Sequence, residues 1–355
     1  MALITINPMK STTIGGVETL IREIQSSYRE VDVIELYQDS PREEKFPENP
    51  KVDYLSYGRA GSPSIFYKVL TKLNQRDKIS SVNEKYDANT IVIFHPNDLL
   101  YMPHKVRKSA RIILVQTNRL DIYFAKLETL VMHLLARYVD LFTVYTVADK
   151  HAVDEFYGKW FRAISVIPRG CKLKTAKSIP SRKKKLITIA RIHEHQKNFK
   201  GLVEVVKKLP SDYTLSIYGD GPTEEVNNLK HLIKTVPNIK FHGSTSDVTE
   251  ALREHSLFVM SSHYEGFGQT LIEARSQGLP IVAFRTFDAL SWIIKEDSNG
   301  KIISAYDTSA FADAIVNILE SDAIFESMAT NALRYAKETE KENINRIWSS
   351  ALTYE

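Results

Sequence analysis

Short apolar runs rich in β-branched residues alternate along the chain with longer stretches whose apolar positions recur every three or four residues. Residues 2–6 predict a strand, and Val17, Leu20, Ile21 and Ile24 mark one face of a helix over about 17–28. Residues 31–36 predict the next strand. Residues 91–94 and 112–115 are continuously apolar, as parallel strands covered on both faces are. Residues 120–138 carry Leu120, Phe124, Leu127, Leu130, Val131, Leu134, Leu135 and Tyr138 at helical spacing, predicting one helix packed on a sheet. Residues 64–76 place Ile65, Phe66, Val69, Leu70 and Leu73 on one helical face and Lys68, Lys72 and Arg76 on another.

After residues 165–170 the periodicity stops. Lys172, Lys174, Lys177, Pro180, Arg182, Lys183, Lys184 and Lys185 form a basic stretch that reads as a solvated linker. The alternation then restarts with strands near 186–190, 214–218, 239–241, 257–260 and 280–283, with helices between them and a long helical tail over about 322–350. Two successive βα series predict two Rossmann-like parallel-sheet domains, with ligands at the carboxyl ends of their strands. The expected boundaries are 1–170, 171–335 and a final helix over 336–355 that crosses back to the first domain.

A chain of 355 residues, 43% hydrophobic, suffices for two such cores. Its net charge of +4 is too small to mark a nucleic-acid binder. The single cysteine, Cys171, excludes an internal disulfide and reads as a bystander thiol. The first residues lack the charged start and apolar run of a signal peptide, and no apolar stretch is long enough for a membrane span. The expected location is therefore cytoplasmic.

The densest chemistry lies in His263-Tyr264-Glu265-Gly266-Phe267-Gly268-Gln269-Thr270-Leu271-Ile272-Glu273, a strand end followed by a helix start. The two glycines permit close backbone approach, and a helix N-terminus with free N–H groups suits phosphate. Glu265 and Glu273 would repel a phosphate, so they are expected to accept hydrogen bonds from hydroxyls, as a sugar nucleotide supplies. Arg191 and Lys197 follow another strand and can neutralise a diphosphate. His193 and His195 lack a further ligand cluster, and there is no Asp-x-Asp, so no metal and no cofactor is expected. Gly15-Gly16 follows the first strand, as a plain turn or a phosphate contact. Gly219-Asp220-Gly221-Pro222 reads as a tight turn without ligand.

These segments resemble the Glu-x7-Glu, Gly-Arg…Lys-Asn and N-terminal Gly-Gly signatures of retaining GT-B glycosyltransferases, especially glycosyltransferase family 4. Ala190 stands where that family usually has Gly. The resemblance implies two Rossmann-like domains facing a cleft and transfer of a sugar from a nucleotide-diphosphate donor, UDP by family frequency, with retention at the anomeric carbon. It assigns catalysis to Glu265, Arg191, Lys197 and His95. Donor binding falls to Gly16, Arg191, Lys197, Glu265, Gly266, Phe267, Gly268, Gln269, Thr270 and Glu273. Where the family commonly has a His, this chain reads Val115-Gln116-Thr117-Asn118. His95, Gln116 and Asn118 are therefore the acceptor-side candidates, with Asp98 behind them. The implied acceptor is a glycan or lipid-linked molecule of cell-surface polysaccharide or glycoconjugate synthesis. Peripheral contact with an anionic membrane, or with an anionic acceptor, is expected through Lys68, Lys72 and Arg76 and through the basic cluster at 104–111. A GT-B-like sugar-nucleotide epimerase or phosphorylase, and a non-catalytic sugar-nucleotide-binding protein, stand as alternatives.

Overall fold

Each apolar run of the sequence becomes a strand of one of two parallel sheets. The computed structural model describes residues 2–13, 15–28, 32–41, 44–59 and 65–353; the side chains of Ile65 and Lys68 lie outside the described residues. The chain divides into two units, Met1–Gly170 with Ile344–Glu355, and Cys171–Asn343.

The first unit holds β1 (Ala2–Ile6), β2 (Asp32–Asp39), β3 (Val52–Arg59), β4 (Ala88–Ile93), β5 (Arg111–Val115), β6 (Leu141–Val144) and β7 (Ile164–Val166). They form one parallel sheet in the order β3-β2-β1-β4-β5-β6-β7. Ile4, Ile91 and Ile112 have no exposed surface, because helices cover both faces. Strand order reverses beside β1, which places the switch point between β1 and β4. A buried carboxylate shapes the loop after β1. Glu35 accepts from Ser11 N and Oγ (2.6 Å each), Asn7 Nδ2 (3.0 Å) and Gln25 Nε2 (2.8 Å). So many donors allow a charge to stay buried and tie the loop to the sheet.

The second unit holds β8 (Lys185–Ile189), β9 (Thr214–Tyr218), β10 (Ile239–Gly243), β11 (Leu257–Met260), β12 (Ile281–Phe284) and β13 (Gly300–Ile303). Their order is β10-β9-β8-β11-β12-β13, again all parallel.

Three expectations change. The helix expected over 120–138 is broken into Leu120–Tyr123, Lys126–Leu135 and a final turn at Ala136–Tyr138. The break turns Tyr123 and Phe124 into an aromatic core with Phe142 (ring centroids 6.1 and 5.6 Å), where Tyr123 OH donates to Val115 O at 2.8 Å. The remaining helix buries Val131 and Met132 but leaves Leu127, Leu130 and Leu134 at 54, 57 and 59% exposure. The helix Ile65–Tyr86 buries Thr71, Gln75, Ile79 and Val82, so its expected apolar face, with Phe66, Val69 and Leu73, points to solvent. Lys72 is no member of a solvated stripe: its Nζ lies 4.4 Å from the Tyr101 ring and donates to Gln75 Oε1 at 3.1 Å. The basic stretch before β8 is not a free linker either. Lys184 pairs with Asp212 (2.8 Å) and Glu320 (2.7 Å), Arg182 with Asp322, and Ala176 N donates to Ser276 O (2.9 Å), all within the second unit.

Candidate functional site

In the second unit, the loops leaving β8 and β11 meet at the carboxyl edge of the sheet. Asn198 takes a left-handed conformation (φ 54°) and caps the helix Phe199–Val206 through Gly201 N at 3.0 Å. Its Nδ2 donates to Ser261 O at 3.1 Å, and Ser261 Oγ returns bonds to Lys197 O and Asn198 O at 3.0 Å. His263 N donates to Gln196 O at 2.8 Å. These bonds fix the two sequence motifs against each other, and they bring Lys197 Nζ within 2.5 Å of Glu265 Oε1. Ser262 Oγ donates to the same oxygen at 2.8 Å. Both side chains are mostly buried, at 13 and 11% exposure, so the pair is screened less than a surface ion pair.

Gly268 then turns left-handed (φ 91°) and opens the helix Gln269–Ser276, whose residues from Leu271 to Ser276 are buried. That puts Glu273 inside, one turn along a helix whose N-terminus lies beside Glu265. Arg191 is exposed and makes no side-chain hydrogen bond or ion pair among the described residues, so its charge is available. Lys197 ends the short helix Glu194–Lys197, where a loop was expected. The glycines of the β9 turn have a packing role. A Cβ on Gly219 would fall 1.8 Å from Ala190 O, and one on Gly221 2.2 Å from Ile192 O. The turn presses directly on the backbone that carries Arg191, which accounts for the Gly-Asp-Gly without a ligand. Among the described residues, no His/Cys/Asp/Glu group could hold a metal ion.

In the first unit, a cavity of about 400 Å³ opens at the carboxyl ends of β1 to β4. Arg59, Lys72, His95, Asn97, Asp98 and Tyr101 are among its walls. His95 Nδ1 accepts from Asn97 N at 3.2 Å, which leaves Nε2 toward Glu128 Oε1 at 3.9 Å. Asp98 is buried, and burial raises its pKa, opposed by the hydrogen bond from Gln75 Nε2 (3.0 Å) and by Lys72 and His95. Gln75 thus bridges Lys72 and Asp98. Gln116 and Asn118 are not among these walls. Gln116 is 1% exposed and its Nε2 is spent on Asn118 O (3.0 Å) and Asp149 Oδ1 (3.4 Å), while Asn118 Oδ1 accepts from Arg119 N (2.9 Å). Gly16 begins the first long helix; a Cβ there would meet nothing within 4 Å, and its carbonyl accepts from Arg169 Nη2 at 2.6 Å.

Sequence reading missed Arg59, Lys72 and Tyr101 as cavity walls and Gln75 as the buried group that bridges Lys72 to Asp98. They lie on an edge strand of mixed polarity and on short or inverted helices, with no motif to join them. It also missed Arg275, which is fully buried, bonds Ile293 O (3.4 Å), Glu338 (3.4 Å) and Thr339 Oγ1 (3.2 Å), and is pulled down to about 10 by burial. Cys171 is a buried thiol pushed up to about 11, chiefly by burial, as a bystander would be.

Two Rossmann-like sheets, the second carrying this loop pair, define the fold class of the GT-B glycosyltransferases. Residues 183–321 match the family model described as Glycosyl transferases group 1. The chain is 27% identical over 182 residues to the poly(glycerol-phosphate) alpha-glucosyltransferase of Bacillus subtilis, covering 49% of this chain and 26% of that protein. It is 32% identical over 137 residues to the lipopolysaccharide core biosynthesis glycosyltransferase LpsE of Rhizobium meliloti, covering 38% of this chain and 39% of that protein. The match therefore spans less than half the length of these curated relatives. Over the whole chain, the fold is similar to that of Anabaena HepE in complex with UDP, with a TM-score of 0.79 at 16% identity, covering 99% of both chains. The second unit thus carries a segment similar to the group 1 glycosyl transferases, within a chain that has the GT-B fold.

Proposed function

We propose that the protein transfers a sugar from a nucleotide-diphosphate donor, UDP-linked, to a glycan or lipid-linked acceptor in cell-surface polysaccharide or glycoconjugate synthesis, with retention at the anomeric carbon. The observation that carries this reading is the Lys197–Glu265 pair beside the helix start at Gly268, inside the segment that matches the group 1 family. The named activities of the relatives and the UDP held by HepE agree with it.

In this reading the diphosphate lies against Arg191, Lys197 and the N–H groups at Gly268 to Thr270, which stabilise the negative charge that grows on the leaving group. Glu265 and the backbone of Gly266 and Phe267 face the donor sugar, and Glu273 holds the ribose hydroxyls. The acceptor hydroxyl attacks from the face that the diphosphate leaves, and a diphosphate oxygen takes its proton. The anomeric C–O bond to phosphate breaks as the new glycosidic bond forms, so a protein base is not required. His95 and Asp98 contact the acceptor in the first-unit cavity. Contact with an anionic membrane also belongs to this reading. It is supported by the exposed Phe66, Val69 and Leu73 and the exposed Leu127, Leu130 and Leu134, rather than by a basic stripe on the first of these helices. No helix among the described residues is long and apolar enough to cross a membrane.

Thermal shift with UDP-, GDP- and ADP-sugars tests the donor. A ligand at a hundred times its Kd adds about 2.7 kcal/mol of apparent stability, so the UDP compound is expected to raise the melting temperature and the others to do so far less. No shift with any of the three would reject the donor reading. Transfer is expected to survive a chelator, because Arg191 and Lys197 supply the charge that a metal otherwise would; activity lost with chelator and restored by manganese would overturn that part.

A further inference from the structure

A second cavity, of about 580 Å³, lies in the first unit at the opposite edge of the sheet from the proposed acceptor cavity. Arg111 is the first residue of β5, Asp140 immediately precedes β6, and Arg162 stands two residues before β7. Ligands of open α/β sheets bind at the carboxyl edge, so nothing in the transfer reaction calls for a cavity at this amino edge.

Its walls are strongly cationic. Arg107, Lys108, Arg111, Arg137 and Arg162 line it, against Asp140 as the one carboxylate among the lining residues. The whole chain carries a net charge of only +4, so this concentration is local. Asp140 neutralises little of it: one oxygen pairs with Arg162 at 3.3 Å, and the other accepts from Ile112 N at 2.9 Å. Tyr138 organises the remaining groups. The Arg107 and Arg137 guanidinium carbons lie 5.2 and 5.0 Å from its ring centre, and the His104 ring is 6.1 Å away edge-on. Cation–π contact of this kind orients a guanidinium while using few of its five N–H donors: Arg107 Nη1 donates to Leu99 O at 3.3 Å and Arg137 Nη2 to Tyr138 Oη at 3.4 Å, and the remaining N–H groups of these two side chains are left for an anion. Arg107 Nε is buried with no hydrogen-bond partner among the described residues. An unpaired buried donor beside like charges is unfavourable until an anion arrives, and planar forks around one cavity match tetrahedral oxyanions.

We propose that this cavity is a binding site for a phosphate-bearing anion of more than one charge, distinct from the sugar-nucleotide site. The inference stands on the first unit alone and does not depend on sugar transfer. The phosphate can come from a lipid headgroup or from a soluble phosphate compound, and the two sources separate experimentally.

The test uses the full chain and inorganic tripolyphosphate, followed by the imidazole NMR signals of His104 in this cavity and of His263 beside the second-unit site. The expected result is a saturable shift of His104. In the variant K108Q/R137Q/R162Q, which changes only exposed side chains, the same shift is expected to need at least about tenfold more tripolyphosphate. The melting curve of the variant is expected to match the parent; if it does not, R137Q alone is expected to weaken binding several-fold. A His104 signal that stays put to millimolar tripolyphosphate, or an affinity unchanged in the variants, overturns the proposal. A parallel arm measures co-sedimentation with phosphatidylglycerol and phosphatidylcholine vesicles. Binding to the former that the triple variant loses assigns the headgroup source, and tripolyphosphate binding without vesicle binding assigns the soluble one.

Discussion

Glu265 and Glu273 are separated by eight positions and face different demands. Glu265 is already engaged by Lys197 and Ser262 at the edge of the sheet, where charge would change during transfer. Glu273 is buried on a helix one turn further in, as a contact made equally in ground and transition states would be. Glu265→Ala is therefore expected to lower turnover by about 10²-fold, the usual cost of removing one preorganised electrostatic contact. Glu273→Ala is expected mainly to raise the donor dissociation constant. Steady-state kinetics and donor titration separate the two; small, equal effects on both parameters would count against the assignment. Cys171 tests burial at the same scale. Its raised pKa favours the neutral thiol in the folded state, so that contribution to stability is present below the unfolded value near 9.0 and is lost as pH rises through about 11. At pH 8 the thiol is expected to resist iodoacetamide in the native protein and to react in urea. Rapid native alkylation at unchanged fold would show that the thiol is accessible.

Among the elements, the turns decide more than the strands do. The β9 turn packs on the backbone of residues 190–192, and Gly219 has φ 149° with no room for a Cβ against Ala190 O. Gly219→Ala is expected to destabilise the second unit by at least about 2 kcal/mol, from strain at a glycine-only conformation and the backbone clash. Chemical denaturation should show it as a lowered midpoint with an unchanged slope. Gly16→Ala is the contrasting case. Space is open around that position, so stability is expected to stay within about 0.5 kcal/mol, and a fall in turnover would then report ligand approach rather than misfolding. The sequence offers both as glycine-containing turns after a strand. Only the contacts of the neighbouring loop separate a packing glycine from an open one.

At the scale of the whole molecule, the last helix, Lys341–Leu352, closes the first unit although it ends the chain. Ile344, Trp348 and Leu352 are at most 2% exposed, and Arg111 Nη1 donates to Ala351 O at 2.6 Å. Ending the chain at residue 343 removes Ile344, Trp348 and Leu352 and leaves Arg111 without its acceptor at Ala351. Loss of one buried Trp costs about 3–5 kcal/mol, so calorimetry is expected to show the first unit melting roughly 10 °C lower while the second keeps its transition. An unshifted first unit would mean that this helix adds little to its core.

The alternation of apolar runs and helical stretches was enough to establish two parallel sheets, because strands buried on both faces must be apolar throughout and their crossover helices must be amphipathic. The motifs around Arg191, Lys197, Glu265 and Gly268 were legible for a similar reason. Each lies within a few residues of a strand end, so local spacing already carries their placement. Other features depended on residues distant in sequence. The β3 edge strand has half-buried, mixed-polarity positions and no clear period. The break at Phe124 follows from an aromatic core built with Phe142 and Trp160. Gln116 Nε2 is held by Asn118 O and Asp149, and Lys72 was drawn into the cavity by Gln75 and Tyr101. Periodicity records which face of an element is apolar. Which neighbour meets that face, and which polar side chains a cavity gathers, is decided by packing and hydrogen bonding between segments that only the tertiary structure brings together.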